Sequence, residues 1–188
     1  MTTALAQAAT TRPPRTGFRL GRRAYKAAVV AHVVSAGAWI GIDVMVAVLV
    51  LAGWFADDVQ ARSIAYQALA GFVVWPMLVS GLVCLATGVL LGLGTRYGLT
   101  RYWWVLVKLA LNVALCALIL VALQPGMDEV AEYGRDLTTP TPTDPAAVST
   151  LFFPPAVSLS TLTFATVLAV FKPWGRIRRP AATSAQSV

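Results

Sequence analysis

Charge is scarce in this chain: 12% of its 188 residues are charged, against 57% in the hydrophobic set. A soluble domain with that balance could not keep its apolar surface out of water. The scarcity is also uneven. Acids are missing altogether from the arm through Lys26, from residues 94–101 and from the tail beyond Phe171, which together hold twelve Lys and Arg residues. Histidine occurs once, at His32, so a single copy of the chain cannot give haem two axial imidazoles. The two cysteines, Cys84 and Cys116, lack a Cys-x-x-Cys spacing and read as packed thiols. Copper would want a cluster of Met, Cys or His, and none is present. There is no nucleophile with an adjacent base, no phosphate loop and no pair of carboxylates, so nothing motivates an enzymatic reading. No internal repeat points to an inverted-repeat transporter.

What the chain does have is four apolar runs, at about 25–54, 66–93, 102–123 and 151–171, each near or above the ~20 residues a helix needs to cross a bilayer. They predict an all-α polytopic membrane protein, a four-transmembrane-helix bundle over 25–174. Residues 1–24 form a basic arm with no apolar block, expected to be disordered like the 175–188 tail. Arg22-Arg23 could open a twin-arginine signal with Ala36-Gly37-Ala38 as its cleavage site, but the apolar run continues well past that point, so an uncleaved anchor is expected. Residues 124–150 are acidic and rich in Pro and Thr, with MDEVAEYGRDL suited to a short surface helix. Pro154-Pro155 suits a helix start, and Trp75-Pro76 is expected to kink the second span near its middle.

The twelve basic residues lie beside the spans, which favours a membrane surface over nucleic acid as the partner of a chain of net charge +7. The other two loops hold only Arg62 and Arg135 against seven acids: Asp57, Asp58, Asp128, Glu129, Glu132, Asp136 and Asp144. Basic loops stay cytoplasmic, so both termini are expected there, in a multi-pass plasma-membrane protein. Aromatic residues fall at the expected interfaces: Tyr102, Trp103, Trp104 and Trp174 inside, Trp54, Phe55, Phe152 and Phe153 outside.

Candidate chemistry lies in the first span. His32, Trp39 and Asp43 are spaced to share one helical stripe, and a charged residue at depth costs about 2.5–3.5 kcal/mol on insertion scales. At ~1.5 Å rise per residue, His32 and Lys108 both sit roughly 9 Å inside the cytoplasmic boundary, and Asp43 roughly 16 Å above Lys108. That separation argues against an Asp43–Lys108 ion pair. By height, Ser158, Ser160, Thr161 or Gln67 suits Asp43 better, and Asn112 lies one turn from Lys108. Two polar layers are expected, an inner one of His32, Lys108 and Asn112 and an outer one of Asp43 with fourth-span hydroxyls. Gly37 and Gly41, and Gly88 and Gly92, form small-xxx-small pairs suited to close helix contact.

The pattern His32…Trp39-Ile40-Gly41-Ile42-Asp43, the stretch from Tyr97 to Leu109 (YGLTRYWWVLVKL) and the ending PPAVSLS…FKPWGR resemble an uncharacterised family of small four-span integral membrane proteins common in actinobacteria. The resemblance covers about Lys26 to Arg176. At a greater distance, the first span and the lysine of a later span are similar to the copper-resistance D type of membrane domain. The family has no established activity, so the resemblance implies fold and location and no reaction.

The leading expectation is a small transport or accessory membrane protein with His32, Asp43 and Lys108 along an internal polar seam. A second is a redox, haem- or metal-handling protein using His32 in a homodimer. A third is a structural subunit associating, with itself or another membrane protein, through its glycine faces. No cofactor is expected; haem or copper would belong to the second reading.

Overall fold

The first apolar run folds as one helix in the computed structural model, which describes residues 20–94, 99, 102–140 and 144–171. The arm through residue 19, most of the 94–101 loop, residues 141–143 and the tail from 172 lie outside the described residues, and so does the disorder expected of the arm and tail; residues 22–24, expected in the disordered arm, are instead the first residues of a helix. Helix α1 (Arg22–Phe55) has 34 residues, a rise of about 51 Å against a hydrocarbon core of ~30 Å. Its surplus lies partly at the start, where Arg22, Arg23 and Lys26 are exposed.

The second run departs from expectation. A single kinked helix over 66–93 is replaced by two helices, α2 (Val59–Phe72) and α3 (Val74–Gly94), with a break at Val73. Proline explains the break. Pro76 has no N–H for the Phe72 carbonyl four residues back, and its ring would press on that carbonyl. In α3 it takes the third position, where no intrahelical donor is needed. Helix α2 begins inside the segment expected as a loop, because the Asp58 carboxylate caps it, accepting from the amides of Gln60 (3.1 Å) and Ala61 (3.2 Å).

The third run becomes α4 (Trp103–Leu118), then a π turn over Ile119–Leu123 in which the Gln124 amide reaches back to the Ile119 carbonyl, then one 3-10 turn. Helix α5 (Met127–Asp136) follows without interruption, so helical turns run from Trp103 to Asp136. The expected surface helix therefore exists, but it is anchored: Met127, Val130, Tyr133 and Gly134 are buried, and Tyr133 meets Tyr66 of α2 edge-on at 5.3 Å. A short α6 (Ala146–Ser149) precedes α7 (Phe153–Phe171), which Pro154-Pro155 opens as expected.

Four of these helical runs are long and apolar enough to cross a membrane: α1, α3, the run from Trp103 and α7. The chain is an all-α, four-helix membrane protein. Contacts set the directions. Leu20 lies on Gly94, His32 on Gly88 and Trp39 on Gly81, so α1 and α3 are antiparallel. Trp54 meets Phe152 and Asp43 meets Ser158, so α7 also runs against α1, and the start of α1 and the end of α7 share one end of the bundle. Helices α2 and α5 pack together across the opposite end, where most of the buried apolar residues collect.

Candidate functional site

Three buried residues of α1, Ser35, Trp39 and Asp43, mark the stripe facing the other helices. The stripe carries two polar groups separated by an aromatic ring.

At the lower level, the His32 ring lies against α3. Its Nδ1 is 3.0 Å from the Cys84 carbonyl and 3.0 Å from Thr87 Oγ1. A carbonyl can only accept, so the proton sits on Nδ1, and the Thr87 hydroxyl donates onward to the Val83 carbonyl at 2.7 Å. Gly88 makes room: a Cβ there would stand 3.2 Å from His32 Cε1. The Ser35 and Asn112 side chains flank the Cys84 thiol, and Lys108 lies within electrostatic reach of both His32 and Cys84. Lys108 is half-buried, and no hydrogen bond or ion pair among the described residues anchors it. Asn112 accepts a 3.6 Å contact from the Cys116 thiol.

The structure thus places His32, Lys108 and Asn112 around Cys84, with His32 bonded to α3 and not to Lys108. No group of three or more His, Cys, Asp or Glu that could hold a metal ion occurs among the described residues.

Trp39 forms the partition. It is wholly buried, and its ring fills the space a side chain at position 81 would need, 2.9 Å from where a Gly81 Cβ would be. Its indole N–H finds no acceptor among the described residues. The sequence pattern placed Trp39 on the stripe; the role of Gly81 carries no motif and follows only from the ring that rests on it.

Above the partition is Asp43, 1% exposed. The Ser158 hydroxyl donates to its Oδ2 at 2.7 Å, while Oδ1 is buried with no partner among the described residues. Among the fourth-span hydroxyls and Gln67, Ser158 is the one the bundle brings to Asp43; Gln67 instead donates to Ser63 within α2, at 2.9 Å. Asp43 and Ser158 line a cavity of about 70 Å³ whose remaining wall is apolar: Val46, Met77, residues of the π turn and its approach, and Pro154 and Pro155. The π turn widens α4 beside the carboxylate, in the manner of π bulges found at functional sites. Neither proline at the start of α7 offers an N–H to the cavity.

The glycine pairs divide. Gly88 and Gly92 chiefly seat side chains, His32 and Leu99, with the Leu99 Cα also 3.6 Å from where a Gly92 Cβ would stand. Gly37 and Gly41 are exposed on the face of α1 that points away from the bundle, with nothing within 4 Å of a Cβ built there, so the close contact their spacing suggests is not made among the described residues.

Comparison with protein-family models, with curated proteins and with solved structures gave no match to this chain.

Proposed function

We propose that this chain is a small transport or accessory protein of the plasma membrane, with both ends cytoplasmic, in which Asp43 is the working group. The observation that carries this reading is the bare oxygen: a carboxyl nearly sealed from solvent beside a cavity, bonded to Ser158 through one oxygen and left without a partner at the other among the described residues. A polar group retained only as helix glue would be satisfied, because an unpaired buried acceptor costs about 1–3 kcal/mol. No cation stands near enough to pair with Asp43 among the described residues. The carboxyl therefore resides there as a neutral acid or as a carboxylate with a borne cation, and exchange between those two forms is the work assigned to it. The twelve basic residues beside the spans support the orientation, which puts Asp43 in the outer half of the bilayer. Lipid surrounds the bundle, and the outward Gly37–Gly41 face supports association with a second copy or another membrane protein.

The test is electrical. Purified full-length protein in vesicles on a solid-supported membrane should give a transient current on a pH jump, lost in Asp43→Asn and kept in Thr87→Val. A wild-type signal no larger than that of empty vesicles would remove exchange at Asp43 and leave a structural subunit.

A further inference from the structure

Lys108 stands inside the bundle, and the described residues supply no anion for it. It lies within electrostatic reach of His32 and Cys84, half-buried, with no hydrogen bond or ion pair to hold it. Its ammonium is not one of the sealed, unpartnered side-chain atoms, so it can be reached from outside the protein. No side-chain acid can come to it. Seven of the eight acids lie within 57–58 and 128–144, at the opposite end of the bundle. The eighth, Asp43, stands beyond the Trp39 ring with Ser158 on its Oδ2.

A lysine kept at that depth without an acid is either a neutral amine or the partner of an anion from outside the chain. The surroundings favour the anion. Asn112, one turn on, commits its oxygen to the Cys116 thiol, so its amide adds only donors. Arg22, Arg23 and Lys26 stand exposed on the first turns of α1 at the same end, where the sequence places twelve basic residues and no acid. Such an end draws anions and anionic headgroups toward it, and it disfavours a headgroup that carries its own cation.

Depth decides the source of the anion. Lys108 is five residues beyond Trp103, the exposed first residue of α4, or about 7.5 Å along the axis. A soluble anion would have to leave water to travel that far. A phospholipid lies in the bilayer already and brings acyl chains for the exposed Leu93 and Trp103. The flexible four-carbon stem of Lys108 reaches toward the headgroup layer from below. We infer that Lys108 is the binding site for the phosphate of an anionic phospholipid, of phosphatidylglycerol chemistry, at the end of the bundle where α1 starts. The inference does not depend on exchange at Asp43.

Spin-labelled lipids measure this directly, with the full chain reconstituted in phosphatidylcholine vesicles. At high salt exposed charges are screened and partly buried ones far less. There, wild type should prefer labelled phosphatidylglycerol over labelled phosphatidylcholine by about fivefold, the equivalent of one cation's 1 kcal/mol. Lys108→Met should erase that preference and Lys108→Arg should keep it; Lys108→Gln repeats the loss should the Met variant not assemble. The triple variant Arg22→Gln, Arg23→Gln, Lys26→Gln should lower the preference at low salt and leave the high-salt preference in place. No high-salt preference in wild type, or the same preference in wild type and the uncharged Lys108 variants, would overturn the inference. So would loss of the high-salt preference in the triple variant alone, which would reduce the contact to diffuse surface charge. Displacement of the labelled lipid by excess glycerol phosphate would assign Lys108 to a soluble phosphate and overturn the lipid source. A pH-jump current, present or absent, bears on Asp43 alone.

Discussion

His32 and Asp43 stand eleven residues apart on one helix, and the bundle treats them differently. The histidine is half-buried and bonded to a carbonyl and a hydroxyl of α3, the next helix along the bundle. The aspartate is almost fully buried, holds one hydroxyl borrowed from the far end of the chain, and keeps an oxygen bare. A membrane interior tolerates a polar side chain when a neighbouring helix supplies its partners, as α3 does for His32 Nδ1. Where they are incomplete and a cavity adjoins, the polar side chain has an occupant to meet. Of the two, only Asp43 presents that combination.

Three substitutions would break or sharpen the contrast. The largest effect is expected for Trp39→Ala, which deletes the partition between the two levels. Removing a fully buried indole should cost about 3–5 kcal/mol, read as a lower unfolding midpoint in detergent. A change below 1 kcal/mol, within the usual range for surface sites, would mean that the ring does not hold the levels apart.

Next in size is a pair. Ser158→Ala strips Asp43 of its one donor and should cost about 1–3 kcal/mol, whereas Thr87→Val leaves His32 its carbonyl and should cost about 0.5–1.5 kcal/mol at most. Equal losses in the two variants would erase the difference drawn between the sites. The smallest effect belongs to Gly37→Leu with Gly41→Leu, at positions where a Cβ would meet nothing within 4 Å among the described residues. The unfolding midpoint should move by no more than the equivalent of about 0.5 kcal/mol plus the helix-propensity gain from replacing glycine. Crosslinking of the same double variant would report whether that face joins two copies.

Much of this was legible in the residues. Four apolar runs and their flanking charge announced the spans, and counting rise per residue from Lys26 separated Asp43 from Lys108 and put it level with Ser158. The bond to Ser158 itself could not be chosen over Ser160 or Thr161, because that depends on how far α7 is rotated about its axis. The first turns of helix α2 were hidden by their polarity, with Asp57, Asp58, Gln60 and Arg62 in the 55–65 segment that looked like a loop, although Asp58 directly before Val59 is the kind of residue that starts helices. The meaning of Pro76 was misjudged for a related reason: a proline reads as a kink only when its distance from the true helix start is known. The π turn carries no proline or glycine at Ile119–Leu123, so no sequence signal marked the place where the cavity opens.

That wide turn also sets the angle of everything beyond it. A π turn holds one residue more than the α-helical turn it replaces, and each residue of an α-helix advances the chain by 100° around the axis. The surplus residue in Ile119–Leu123 is therefore what aims Val130 and Tyr133 at α2. Tighten the turn by one residue and α5 swings aside by more than a quarter of a circle, so the seating of α5 on α2 is indexed to the wall of the Asp43 cavity by one residue's length of backbone.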